Sequence, residues 1–216
     1  MGYSRRIKPQ KNNVLITYTH PDSIISEQYR MIEANIKFSM DTMKSRAFLI
    51  TSPSSGEGKS TSAANLAVTM ALNNEKVLLI DANFSNPVMH TVFNVPNSPG
   101  LTDILNNKSA FYEAVHHTGI AGLDILASGR MYSNIGTQLD SNRMQSILNS
   151  TLHAYDVILI DSHSILDLTD TKLLASQCDG VVLVLKKGKT SLSKAAQTRK
   201  VLEFAKANLV GVIFNE

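Results

Sequence analysis

A chain of 216 residues that is 43% hydrophobic can bury the core of one sizeable domain. Its formal charge of +3 is scattered apart from Arg5, Arg6, Lys8 and Lys11, which read as a solvated tail, so no nucleic-acid partner is expected. The single cysteine, Cys178, excludes an intrachain disulfide and fits a reducing compartment; no run reaches the roughly 18 to 20 apolar residues that span a bilayer, so a cytoplasmic protein is expected.

In chain order, residues 1–22 form a flexible basic segment, and residues 23–216 form the single domain. Ser23 to Met40 reads as a helix capped by Ser23 or Asp22, and with no strand before it this helix is an appendage. Six apolar, β-rich runs follow: Ala47 to Ser52, Val77 to Asp81, Leu123 to Ala127, Asp156 to Asp161, Gly180 to Lys186 and Leu209 to Phe214. None alternates between apolar and polar, so both faces of each strand are covered, as in a parallel sheet. Helical patterns at Lys59 to Asn73, Asn142 to His153, Asp170 to Gln177 and Ser191 to Asn208 lie between them. The alternation predicts a doubly wound, mostly parallel α/β domain with helices on both faces. Pro87 to Leu101 is irregular and leads into short helical pieces up to Thr118. His116 and His117, adjacent on such a piece, diverge and form no shared metal site.

The chemistry begins in the segment TSPSSGEGKSTSAANLA, Thr51 to Ala67, where a strand, a glycine loop and a helix follow one another. That order is what a phosphate-binding loop requires. The amides from Ser55 through Gly56, Glu57, Gly58 and Lys59 to Ser60, with Thr61 beside them, converge on a phosphate, and the helix N-terminus adds partial positive charge. Lys59 reaches the β- and γ-phosphates and the Ser60 hydroxyl takes a position on Mg²⁺, so ATP or ADP is the expected nucleotide. Pro53 stands where the general motif has its first glycine, a position that turns the chain without touching phosphate. Two later strands end in VLLIDANFSNP and YDVILIDSHS, placing Asp81 and Asp161 at strand tips. Asp161 suits the metal side; Asp81 could accept a proton or complete the metal shell, and either could be an ordinary turn or helix cap.

The series SSGEGKS, LLIDAN and VILID resembles the bacterial tyrosine kinases of capsule and exopolysaccharide synthesis, and the resemblance extends from SIISEQYRMIEANIKFS at Ser23 to nearly the end of the chain. The family is similar in fold to the MinD/ParA-like septum-site and partition P-loop ATPases, whose signature lysine is replaced here by Ser54. The resemblance implies γ-phosphoryl transfer from Mg²⁺–ATP to tyrosine, with Lys59 and Ser60 on phosphate and metal, Asp81 as base, Asp161 at the metal and Asn215 at the adenine. It also implies a tyrosine-bearing protein substrate, a transmembrane activator of the polysaccharide co-polymerase type, peripheral membrane association through that adaptor, and a homo-oligomer formed through the Ser23–Ser39 helix.

Four departures stand out. Asn83 and Ser85 replace the family's second aspartate and its arginine; Glu27 and Arg30 are kept but Glu33 replaces a second arginine used between subunits. Ser162, His163 and Ser164 replace Thr-Pro-Pro, with His163 read as a solvent-facing loop residue against the alternative of tuning phosphate chemistry. The family's C-terminal tyrosine cluster is missing, the last tyrosine being Tyr155. The departures keep open a catalytically weak nucleotide-binding regulatory subunit, and a MinD/ParA-like ATPase is the remaining alternative.

Overall fold

The computed structural model describes residues 14–39, 46–131 and 141–216. Arg5, Arg6, Lys8 and Lys11 lie outside them. The elements are α1 (Ile16–Thr19), α2 (Ile24–Ser39), β1 (Arg46–Thr51), α3 (Lys59–Leu72), β2 (Val77–Asp81), α4 (Met89–Phe93), α5 (Leu101–Leu105), α6 (Phe111–Ala114), β3 (Val115–His117), β4 (Leu123–Leu126), α7 (Ser141–Thr151), β5 (Val157–Asp161), α8 (Thr169–Gln177), β6 (Gly180–Lys186), α9 (Leu192–Phe204) and β7 (Leu209–Asn215).

Seven strands form one sheet in the order β3-β4-β2-β5-β1-β6-β7, parallel except for β3. Period-two alternation along β1 sends Phe48 and Ile50 to one face, against Ala63, Ala67 and Met70 of α3. Ala47 and Leu49 go to the other face, where Met144 and Leu148 of α7 and Leu174 of α8 cover them. Both sides of the central strands are therefore apolar, which is why the sequence shows unbroken runs there.

The chain departs from the sequence reading at three places. Val14 to Asp22, assigned above to the flexible segment, contains α1, which docks on α3: the Thr17 amide and hydroxyl donate to Asn65 Oδ1 at 3.1 and 3.0 Å, and Asn65 Nδ2 donates to Val14 O at 2.6 Å. His116 and His117 lie on a strand, not a helix, because β3 pairs antiparallel with β4 and its backbone is held by Ile125 and Asp124. Glu33 does not face outward with Glu27 and Arg30. Six residues beyond Glu27, it has rotated to the inner side of α2, where it is 2% exposed and bonds Lys37 Nζ at 2.7 Å and Asn73 Nδ2. Its charge bears on the packing of α2 against α3 and not on an outer surface. The cap on α2 is Ser23, whose Oγ accepts the Ser26 amide at 3.2 Å.

Candidate functional site

The carboxyl ends of β1, β2 and β5 meet where the strand order reverses, and the glycine loop leaves β1 there. Gly56 and Gly58 take φ of +71° and +93°, a left-handed backbone that glycine adopts freely. A Cβ on Gly58 would also collide with the Asn215 side chain. The amides of Ser55 to Thr61 donate to no acceptor among the described residues. Seven such donors at the N-terminus of a 14-residue helix make a built anion cradle. Lys59, 8% exposed, opens that helix.

The loop is held from behind by residues that sequence spacing did not indicate. Lys189 Nζ donates to Ser55 O at 2.8 Å, Lys194 Nζ donates to Ser54 Oγ at 2.9 Å, and Thr190 Oγ1 donates to Glu57 Oε1 at 2.9 Å. The Glu57 side chain is thus turned into the protein, leaving its amide for the cradle. Asn215 Nδ2 donates to Glu57 O at 3.1 Å, which puts Asn215 against the loop backbone. These partners come from the β6–α9 loop, α9 and β7, all brought beside β1 by the pairing of β6 with β1 and of β7 with β6.

Asp81 and Asp161 are register partners at the ends of β2 and β5, and both are fully buried. Their surroundings differ. Asp81 accepts the amides of Asn83 at 3.1 Å, Val88 at 2.9 Å and Met89 at 3.0 Å, so it caps the turn that leads into α4. Both oxygens of Asp161 lack a hydrogen-bond partner at bonding geometry among the described residues. Burial, then the charge of Asp81, pushes Asp161 up to about 7, opposed by Lys59 and the Ser60 hydroxyl. Asp81 is also raised by burial, against its three amides. A buried carboxylate with unused lone pairs, next to a hydroxyl and a phosphate cradle, is the donor set for a hard divalent cation, and Asp161 with Ser60 fits one.

His163 is not solvent-facing. It is half-buried, its Nε2 accepts the Ser85 amide at 3.0 Å, and the Phe84 ring lies beside it, tilted by 46° with centroids 6.4 Å apart. Burial first, then the charge of Lys59, holds the imidazole below its ordinary pKa. The neutral ring therefore ties the loop after β5 to the loop carrying Asn83 and Ser85. Between these loops and the cradle lies a cleft of about 540 Å³, lined by Lys59, Ser60, Asn83, Ser85, His163 and Asp167 among others. Tyr155 is far from this chemistry. It precedes β5 at the opposite end of the strand, its hydroxyl donates to Asp124 Oδ2 at 2.9 Å, and burial first, then that bond, raises its pKa.

Residues 45–210 match the AAA domain family. The tyrosine-protein kinase YwqD of Bacillus subtilis (strain 168) is 40% identical over 212 residues, 98% of this chain and 89% of that one. Among solved structures, the kinase domain of the Escherichia coli tyrosine kinase ETK superposes with a TM-score of 0.90 at 25% identity, covering 99% of this chain and 84% of that one. The septum site-determining protein MinD of Pyrococcus horikoshii OT3, complexed with Mg-ADP, superposes with a TM-score of 0.69 at 25% identity over 79% of this chain and 70% of that one.

Proposed function

Because this chain belongs to the bacterial tyrosine kinases, we propose that it transfers the γ-phosphoryl group of ATP to tyrosine and so regulates polysaccharide synthesis. The observation that carries the reading is the juxtaposition of a donor-rich loop, with its amides from Ser55 to Thr61 unengaged by the described residues, and the Asp81–Asp161 pair at the tips of adjoining strands. The amides and Lys59 bind and orient the phosphates, so that the γ-phosphorus faces the cleft. Ser60 and Asp161 would hold Mg²⁺, which when bound neutralises charge on the β- and γ-phosphates. Asp81 keeps the loop before α4 folded over the site and adds negative charge beside Asp161. Asn215, already against the loop, is assigned to the adenine side.

The remaining parts of the proposal concern partners. A transmembrane activator of the co-polymerase type would bring the kinase to the cytoplasmic face of the membrane; among the described residues no helix is long and apolar enough to cross one. A homo-oligomer through α2 is supported by Ile24, Met31 and Phe38, seven residues apart and 81%, 59% and 85% exposed, in line along that helix beside the Glu27–Arg30 pair. A second reading, a nucleotide-binding regulatory subunit with weak catalysis, is favoured by Asn83 and Ser85 and by the amides that occupy Asp81.

One experiment separates the two. The protein is incubated with labelled ATP, Mg²⁺ and a tyrosine-bearing acceptor, and phosphotyrosine is counted beside a nucleotide-binding assay. The kinase reading expects label on tyrosine that disappears in Lys59→Met; nucleotide bound without label would move the conclusion to the regulatory subunit.

A further inference from the structure

A glycine loop whose amides find no acceptor among the described residues needs something else to fix their direction, and three of its carbonyls carry that information. Ser54 O accepts the Ser52 hydroxyl at 2.7 Å, Ser55 O accepts Lys189 Nζ at 2.8 Å, and Glu57 O accepts Asn215 Nδ2 at 3.1 Å. In a planar trans peptide the carbonyl and the N–H that follows it point in opposite directions. Each bond therefore aims the next amide, of Ser55, Gly56 and Gly58 in turn, away from the donor that holds the carbonyl. Those same three residues line the cleft of about 540 Å³, while Asn215 lines a separate groove between α2 and β7.

Ser52 belongs to the loop's own approach and Asn215 is assigned to the adenine side. Lys189, 134 positions along the chain from Ser55, has no such role. An exposed lysine usually gains little from one contact, because ordering its long stem offsets much of the attraction. Here the root of the stem is already fixed. The β6–α9 turn is closed by the Lys189 and Thr190 amides, which donate to Lys186 O at 3.1 and 2.9 Å. The Thr190 hydroxyl accepts the Lys186 amide at 2.9 Å and donates to the buried Glu57 carboxylate at 2.9 Å. Lys189 thus starts from a backbone tied to the glycine loop at the very next residue. Gly56 leaves the space for its ammonium, since a Cβ there would stand 2.7 Å from Lys189 Nζ.

We propose that Lys189 is a positioning residue for nucleotide binding, which by holding Ser55 O presents the Gly56 amide to the phosphates; this rests on the reading of the loop as a nucleotide site. Without the ammonium, the Ser55–Gly56 peptide, followed by a residue at φ +71°, is free to turn over. Its carbonyl oxygen then faces the anion where the amide should be, and a donor becomes a repelling dipole. The bound nucleotide needs that amide before the reaction as well as during it, so losing Lys189 weakens binding more than turnover at saturation.

The test measures the affinity of a fluorescent ADP analogue with Mg²⁺ in the full chain, for Lys189→Met, Lys189→Arg and Lys187→Met beside the unaltered protein. Lys187 lies two residues away with its Nζ on Glu216 at 2.8 Å, so Lys187→Met removes the same charge from the same turn and leaves the loop bond in place. Lys189→Met should weaken binding about tenfold, the size of a hydrogen bond from a charged group. Lys189→Arg should recover most of that loss, and Lys187→Met should bind within about twofold of the unaltered protein. In phosphotransfer, the KM for ATP of Lys189→Met should rise with its Kd while kcat at saturating ATP holds, and its nucleotide-free melting midpoint should move by no more than about 2 °C. Unchanged affinity in Lys189→Met, an equal loss in Lys187→Met, or no recovery in Lys189→Arg overturns the assignment. If the unaltered protein binds nucleotide but labels no tyrosine, the kinase reading fails while the affinities still decide the role of Lys189. If it binds no nucleotide, both fail together.

Discussion

Burying Asp81 and Asp161 side by side gives the protein a titration that can be read without any substrate. Both carboxyls are raised by burial, Asp161 from 3.8 to about 7, so the folded state holds a proton that the unfolded chain has released. Stability that depends on this proton is fully present below the unfolded value and is lost as pH rises through the folded one. The metal-free protein should therefore lose stability between about pH 4 and pH 7 and level off above that window. Asp161→Asn mimics the protonated form, so its melting temperature should match the wild type near pH 4 and exceed it by about 5 °C at pH 8. Thermal melts in chelator across that range test this, and a wild-type midpoint that climbs from pH 4 to pH 7 would refute it. The carboxylates were legible as strand-tip residues, because DxN and VILID announce themselves after apolar runs. Their different fates were not: three amides reach Asp81 from residues two to eight positions on, while Asp161 receives none, and only the path of the loop into α4 makes that difference.

Elements built from long apolar runs were legible for a simple reason, that a strand covered on both faces has no polar position to interrupt it. The extents of β2 and β6 agree with the sequence reading, and the other parallel strands shift by a residue or so at their ends. Short elements carry no such signal. β3 is three residues long and exists because β4 offers it an antiparallel partner; α1 is four residues long and is held by the Asn65 side chain on α3. Glu33 shows the same dependence on neighbours. Read along one helix it is a reversed surface charge, but packed on α3 it is a buried carboxylate joining Lys37 and Asn73. Glu33→Ala should leave Asn73 Nδ2 without that acceptor and lower stability by about 1–3 kcal/mol, measured by denaturant unfolding, with nucleotide affinity unchanged. A loss of nucleotide binding at full stability would show instead that Glu33 acts on the site.

At the scale of the whole molecule, the site is a product of strand order. β5 slides between β1 and β2, which sets Asp161 opposite Asp81 and beside the glycine loop, and β6 flanks β1 on its other side, which brings Lys189 and Lys194 onto the loop from more than 130 positions away. A ligand seated there bridges several elements and should tighten the whole domain. Mg²⁺–ADP at about 100 times its dissociation constant should stabilise the fold by about 2.7 kcal/mol, a rise of roughly 5 to 10 °C in the melting midpoint. Chelator should remove most of that rise and Lys59→Met should prevent it; an equal rise in Lys59→Met would place the nucleotide elsewhere. By itself the sequence determined the α/β class, the phosphate loop and the two strand-tip carboxylates, because each is a local pattern of periodicity, glycine and charge. Only the tertiary structure decided that Glu33 turns inward and that His163 ties two loops together. These depend on which strands lie side by side, and no stretch of chain records its neighbours across the sheet.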